Sequence, residues 1–354
     1  MYDIAVEQID HRDDIHFWLA FLDLKLKIFV CEYITGGGLY REELPASLVR
    51  EGSLMRDAVL HDLSILPGIS TLCTWDARLP EPSHAHQAVR VGDDVWSLWK
   101  QCIAEADAVL PIAPETGNIL LTLTDAIEIS GKTLIGCGVE GVEIASSKLA
   151  TCRALQAADI DVVPTWEAAS FPAGLFKQYV VKPDDGAGCG GTMIFSCQDD
   201  FMEWLAENKT GYVAQPYLEG VSASLCMLCR NGQAWLLSCN RQKVTEESGA
   251  FVYKGSVLNG VSNWDAFERL ARDISRAIPS LAGYIGVDVI IHETGISVLE
   301  INPRLTTSYA GLHEAMGCNP AELLLDLLYN SRSSPGKFQM PAIQRHIVDV
   351  SLDV

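Results

Sequence analysis

The chemistry in this chain concentrates in GYIGVDVIIHETGISVLEINPR, Gly283 to Arg304, where single acidic or amide residues interrupt otherwise apolar strands. A three-residue loop Glu293-Thr294-Gly295, with glycine in the left-handed position, sets His292 opposite Ile296, Ile290 opposite Val298 and Asp288 opposite Glu300. Opposed residues project from one face a few ångströms apart, and the period of two adds Asn302 and Arg304 to that face. Two facing carboxylates in an apolar hairpin repel each other unless a cation intervenes. Oxygen ligands of this kind suit Mg²⁺, which commonly bridges carboxylates to substrate phosphates. A solvent-facing acidic edge is the alternative, and it leaves the apolar flanks unexplained.

Lys182 lies inside the apolar run QYVVKP, where an ammonium is expensive to bury unless an anion meets it. Lys148 stands at a helix start; either lysine alone reads as one reaching the sheet rim. After Lys182 comes DDGAGCGG, Asp184 to Gly191, between strands VVK and TMIF. It closes a hairpin and lacks the G-K-[ST] ending of a Walker loop. Its glycines, Gly186, Gly188, Gly190 and Gly191, let backbone N–H groups approach a triphosphate. Further on, AQPYLEG (Ala214 to Gly220) ends an apolar strand and offers its backbone to an adenine edge. A second glycine pattern, Gly136-Cys-Gly138-Val-Glu-Gly141, fits the dinucleotide fingerprint with Asp161 downstream. Helical periodicity is expected only after Ser146, so a tight connection without a cofactor is the favoured reading.

These residues need elements to position them. From Lys25 strands alternate with helices: KIFVCEYI, a helix over Pro45 to Leu63, STLCTW, a helix over Val95 to Ala106, AVLPIA, a helix over Thr116 to Ser130, and TLIG. That rhythm predicts a parallel α/β domain over 25–145. Ser146-Ser147 then opens a helix, SKLATCRALQAA, with serine in the capping position. Beyond it strands pair as hairpins with helices between them, an α+β domain over 146–330 whose lid hairpin falls within about 180–220. An N-terminal extension over 1–24, with a helix around His16 to Leu22, and a tail over 331–354 complete the plan.

The 354 residues, 48% hydrophobic and 20% charged, describe an ordinary globular protein. A net charge of −20 argues against nucleic acid or an anionic membrane as partner. No apolar run spans a bilayer and no secretory signal opens the chain, so a cytoplasmic location is expected. Eleven scattered cysteines read as reduced, buried thiols. The single CxxC, Cys226 and Cys229, falls on a strand, where residues three apart point to opposite faces.

In order, Lys148, Lys182 with its glycine loop, QPYLEG, Asp288 and Glu300-x-Asn302-x-Arg304 resemble the ATP-grasp superfamily over about residues 110–320. The resemblance implies a pre-ATP-grasp α/β domain followed by an ATP-grasp domain whose two antiparallel-sheet subdomains clasp ATP. It implies that Lys148 and Lys182 bind phosphates, that Gly186 to Gly191 form the lid, and that Gln215, Tyr217 and Leu218 frame adenine. Asp288, Glu300 and Asn302 would ligate Mg²⁺, two ions in number with Mn²⁺ as an alternative, and Arg304 would stabilise the transferred phosphoryl. Arg241 and Lys243 are further phosphate contacts on this reading, and Ser222 replaces a glutamate that often binds ribose. Within the superfamily, NPRLTTSYAGL, FVYKG and EYITGGGL with EGSLMRDAVL are similar to the tyramine–glutamate ligases of methanofuran biosynthesis and their relatives in one-carbon metabolism.

The implied chemistry is ATP-dependent carboxylate–amine ligation through an acyl phosphate. Acid and amine should bind where the first domain meets the catalytic sheet, near Tyr33, Thr35, Gly36 to Gly38, Glu51, Arg56, Thr306, Thr307 and Tyr309. A homodimer is one assembly the reading allows. The rivals are an ATP-grasp phosphotransferase, a non-catalytic nucleotide-binding regulator, and a dinucleotide oxidoreductase relying on Gly136 to Gly141.

Overall fold

The structure, a computed structural model, describes residues 25–186, 188, 190–208, 210–247, 249–333 and 338–352. The expected N-terminal extension, with its helix around His16 to Leu22, lies outside the described residues. The first unit runs β1 (Leu26–Glu32), α1 (Ala46–Ser64), β2 (Ile69–Trp75), β3 (Gln87–Arg90), α2 (Val95–Glu105), β4 (Ala108–Ile112), α3 (Ile119–Ile129) and β5 (Thr133–Leu134). Its strands pair in parallel in the order β3-β2-β1-β4-β5. The central strands are apolar on both faces because helices cover both, and Ile28, Phe29, Leu72 and Val109 are all fully buried.

Two helices follow, α4 (Val139–Ser146) and α5 (Lys148–Ala157). The first corrects the expectation that helix begins only after Ser146: it starts directly behind Gly138. Gly136 to Gly141 therefore does connect a strand to a helix. The next strand, however, is only the two-residue β6 (Trp166–Glu167), which pairs antiparallel in another sheet, so no βαβ unit follows. A Cβ at Gly141 would lie 2.3 Å from Cys137 Sγ and 2.6 Å from the Ser280 carbonyl. Glycine is needed there because the helix packs closely against the turn at Ser280.

β6 joins β7 (Tyr179–Pro183), β8 (Met193–Phe195) and, after α6 (Gln198–Glu207), β9 (Tyr212–Pro216) in a four-stranded antiparallel sheet ordered β6-β9-β7-β8. The last sheet contains β10 (Val221–Arg230), β11 (Gln233–Glu247) and β12 (Ala250–Leu258), then, after α7 (Trp264–Ala277), β13 (Gly283–His292) and β14 (Gly295–Asn302). After them come α8 (Leu312–Met316) and α9 (Pro320–Ser333); β15 (Val348–Ser351) pairs with β12 at the sheet edge, so the described part of the tail ends in an edge strand. Cys226 and Cys229 enter separate cores on opposite faces of β10. Among the described residues no helix is long and apolar enough to cross a membrane.

The β13–β14 turn corrects the expected hairpin. His292 pairs with Gly295 and Ile291 with Ile296, so the loop is the two residues Glu293-Thr294 and the register near it is displaced by one. A bulge at Leu299 absorbs the displacement, and beyond it Asp288 does face Glu300.

Candidate active site

A cavity opens between the four-stranded and six-stranded sheets, floored by β13 and β14 and closed at one end by α1. Lys182, on β7, lines it, and Lys148, at the start of α5, meets the same buried carboxylate. Ser147 caps α5 by accepting from the Ala150 amide at 3.0 Å, which fixes Lys148 at the helix start. Asp184 accepts from Ser147 Oγ at 2.7 Å and from the Leu149 amide at 2.9 Å, tying that start to the end of β7. Lys148 Nζ then lies 3.4 Å, and Lys182 Nζ 3.5 Å, from the same oxygen, Glu300 Oε2. Lys148 also donates to the Gly186 carbonyl at 2.6 Å, reaching the base of the glycine hairpin.

The electrostatics follow from this crowding. Burial raises the cost of ionising Glu300, but the ammoniums of Lys148 and Lys182 outweigh it and hold the carboxylate below its ordinary range. Burial pushes the Lys182 ammonium down, and its half-share of Glu300 only partly restores it. Asp288 is pushed up to about 7, first by burial and then by the charge of Glu300. One carboxylate thus serves two buried lysines, while the second, Asp288, is ionised only at a cost. The site is short of negative charge beside the lysines and short of positive charge beside Asp288.

That imbalance is what a metal–polyanion pair would correct. Asp288 accepts from Asn302 Nδ2 at 3.3 Å and from Gln242 Nε2 at 2.7 Å, and Glu300 stands across the strand pair. Two carboxylates and an amide on one face, all oxygen donors, fit Mg²⁺ or Mn²⁺. Gln242 escaped the sequence reading, which chose its charged neighbours. Strand phase decides: Gln242 and Val244 line the cavity, so Arg241 and Lys243 project the other way. Lys243 Nζ is held by Asp349 at 2.6 Å and Ser351 at 2.7 Å on β15, and Arg241 is exposed. The structure does not bring these two to the expected phosphate site.

Gln215, Tyr217, Leu218 and Ser222 all line the cavity. The Gln215 side chain is anchored by donating to Thr165 Oγ1 at 2.8 Å, and the Tyr217 ring stacks on Phe251 at 6.2 Å between centroids. With Val163, Val180, Ile290 and Leu299 they make an apolar slot of a kind that takes a flat heterocycle. Of the hairpin glycines, Gly188 faces the cavity while Gly190 and Gly191 are exposed. Gly188 and Gly191 have φ of +61° and +69°, the left-handed region where a side chain would strain the turn.

Arg304 lines the cavity and is gripped by Glu115, at the mouth of the first sheet, through Nε at 3.0 Å and Nη2 at 2.8 Å. Thr306 and Thr307 also line it, hydrogen-bonded to the hydroxyls of Tyr284 and Tyr253 at 2.9 Å each. Glu51 and Met55 reach in from α1. The other expected substrate residues do not. Thr35 Oγ1 donates to the buried Glu32 carboxylate at 2.5 Å, Tyr33 packs against Trp99 with ring centroids 5.7 Å apart, and Gly37 turns with φ of +101° beneath Val91. Arg56 pairs with Asp57 at 2.7 Å. Tyr309 is 1% exposed and packs in the core outside the cavity lining; burial first, then the Asp62 charge, raise its hydroxyl well above the ordinary value.

Comparisons with known proteins agree with this architecture. The ATP-grasp domain family matches residues 145–308 and the pre ATP-grasp 3 domain family residues 69–142. Over 236 residues the chain is 32% identical to the tyramine–L-glutamate ligase of Methanocaldococcus jannaschii, covering 66% of each protein. Among solved structures, a putative ATP-grasp superfamily protein from Archaeoglobus fulgidus matches with a TM-score of 0.66 and 24% identity, over 92% of this chain and 100% of that one. The biotin carboxylase domain of Hydrogenobacter thermophilus 2-oxoglutarate carboxylase, solved with MgADP, matches with a TM-score of 0.67 and 14% identity, over 91% and 73%.

Proposed function

This chain belongs to the ATP-grasp family, and on that premise we propose that it is an ATP-dependent carboxylate–amine ligase working through an acyl phosphate. The observation that carries the reading is the pair of buried lysines sharing one Glu300 oxygen, with Asp288 facing Glu300 across the strand pair. A nucleotide triphosphate with its metal supplies both missing charges at once. Asp288, Glu300 and Asn302 would hold Mg²⁺ or Mn²⁺, which when bound neutralises the phosphates and polarises the transferred group.

In this mechanism the apolar slot at Gln215, Tyr217 and Leu218 takes adenine, with Ser222 beside the ribose. Lys148 and Lys182 bind the phosphates, and the hairpin bearing Gly186, Gly188, Gly190 and Gly191 covers them and keeps water from the acyl phosphate. A substrate carboxylate attacks the γ-phosphorus, ADP leaves, and Arg304, preorganised by Glu115, stabilises the charge on the transferred phosphoryl. The amine then attacks the acyl carbon, and phosphate departs from the tetrahedral intermediate as the amide forms.

The acid and amine belong at the Arg304, Thr306 and Thr307 end, beside Glu51. The half-buried Glu51 carboxylate, raised by burial and countered by Arg304, suits an ammonium. The relative from Methanocaldococcus jannaschii supports tyramine and glutamate as the pair to test first. The test is ADP release from the purified chain with MgATP across a matrix of acids and amines, with the amide identified by mass. Amine-independent ADP release with a stable phosphorylated product would replace ligation by phosphotransfer; ATP binding without any ADP would leave a regulator.

A further inference from the structure

On the last turn of α1, far along the helix from Glu51 and Met55, a second group of ligating side chains converges. His313 Nδ1 lies 2.6 Å, and His61 Nδ1 3.7 Å, from the same oxygen of the buried Asp62. One ligating atom from each of the three lies within 4.8 Å of the others. The His84 ring stands edge-on to His61 at 5.0 Å between centroids. Asn319 Nδ2 donates to the Asp62 carbonyl at 2.8 Å, fixing that turn from behind. Asp62 is anchored at 4% side-chain exposure, whereas His61 at 51% and His313 at 39% have room to turn.

We propose that His61, Asp62 and His313 bind one transition-metal dication of the zinc class, with water or His84 completing the shell. Two imidazoles and a carboxylate suit Zn²⁺ and Co²⁺, whereas Mg²⁺ prefers oxygen donors alone. Zinc bonds of about 2.0–2.2 Å require the donors to close in from their present spread, a movement the two exposed rings can make. A plain His313–Asp62 ion pair is the simpler use of these residues, and it leaves His61 with ring contacts alone. The metal site differs from it on that one residue.

The position has a consequence for the cavity. Through Glu51 and Met55, α1 lines the cavity, as do Thr306 to Ser308, which lead into α8 and His313 and pack against α1. A metal here staples α1 to that segment at the back of the substrate end. Binding itself does not depend on what reaction the cavity performs.

The test uses the full chain, stripped with EDTA and free of nucleotide, titrated with Co²⁺ by visible absorption and then displaced with Zn²⁺. One equivalent of Co²⁺ should bind with a ligand-field band of low coordination number. His61→Ala and His313→Ala should each weaken binding by about tenfold or more, the range seen when a supporting residue of a metal site is lost. Glu300→Gln should leave it intact. His61 is exposed, so its variant keeps the fold, and Zn²⁺ should raise the Tm of the parent but not of His61→Ala. Binding that is absent, indifferent to His61→Ala, or abolished by Glu300→Gln overturns the proposal.

Discussion

Glu115 and Arg304 form a two-pronged ion pair, 3.0 and 2.8 Å, that joins the mouth of the first sheet to the end of the catalytic hairpin. It spans 189 residues and is buried on both sides, with side-chain exposures of 5% and 12%. The guanidinium is held charged, burial notwithstanding, by Glu115 first and by Glu51 and Glu300 beyond it.

Glu115→Ala should therefore strand a buried arginine. Removing one partner of such a pair costs about 3–5 kcal/mol, and Glu115→Gln somewhat less. On the proposed mechanism kcat falls with either variant while the KM for ATP stays near its parent value, because the arginine serves the transferred group and not the adenine slot. Urea denaturation and steady-state ADP release check the two parts separately.

Lys182→Ala removes one of two ammoniums from the phosphate end. We expect ATP affinity to fall by about tenfold or more, in keeping with a charge-assisted contact of about 1.5–3 kcal/mol, measured by calorimetry. Glu300→Gln should abolish ADP formation while the circular dichroism spectrum stays that of a folded chain. Unchanged turnover in that variant removes Glu300 from the metal set.

Asp288 gives a pH dependence whose sign can be worked out. Its folded-state value of about 7 lies above its ordinary 3.8, so the folded chain binds this proton more tightly than the unfolded one. Stability from this group is present below the ordinary value and is lost as pH rises toward 7. Denaturation in EDTA at pH 5 and pH 8 should show that loss, and Asp288→Asn should flatten it. Binding of MgATP near pH 6.5 should then release a proton, seen as a buffer-dependent enthalpy, and should release little at pH 8.5.

Gln242 and Lys243 are neighbours with opposite fates. Gln242→Ala removes the 2.7 Å hydrogen bond to Asp288 and should weaken Mg²⁺ dependence about tenfold, the usual cost of losing a supporting partner of a metal ligand. Lys243→Ala frees Asp349 on the edge strand and should leave the KM for ATP within about twofold. A Lys243 variant that loses nucleotide affinity would return that lysine to the site.

Local pattern already contained the alternating first unit, the hairpin-rich second one, the serine cap before Lys148 and the Asp288–Glu300–Asn302 face. Each follows from a period of two or 3.6 and from where glycine and serine are tolerated, which neighbouring residues decide among themselves. The acidic face was reached from a wrong loop: the hairpin has two loop residues, and a bulge at Leu299 restores the pairing. A bulge costs one residue and leaves no mark in the hydrophobic alternation of so short a strand.

Which charged residue meets which was beyond local pattern. Arg241 and Lys243 looked like phosphate ligands, yet the phase of β11 turns Gln242 inward and gives Lys243 to Asp349 on a strand paired only in the folded sheet. Tyr33, Thr35 and Arg56 occur in segments that resemble a substrate loop, and packing spends them on Trp99, Glu32 and Asp57. Residue type and spacing determined the chemistry available to this chain. Tertiary contacts, among them Lys182 with Glu300 at 118 positions and Glu115 with Arg304 at 189, decided which of those groups share one low-dielectric space, because charge interactions depend on distance and burial and not on order along the chain.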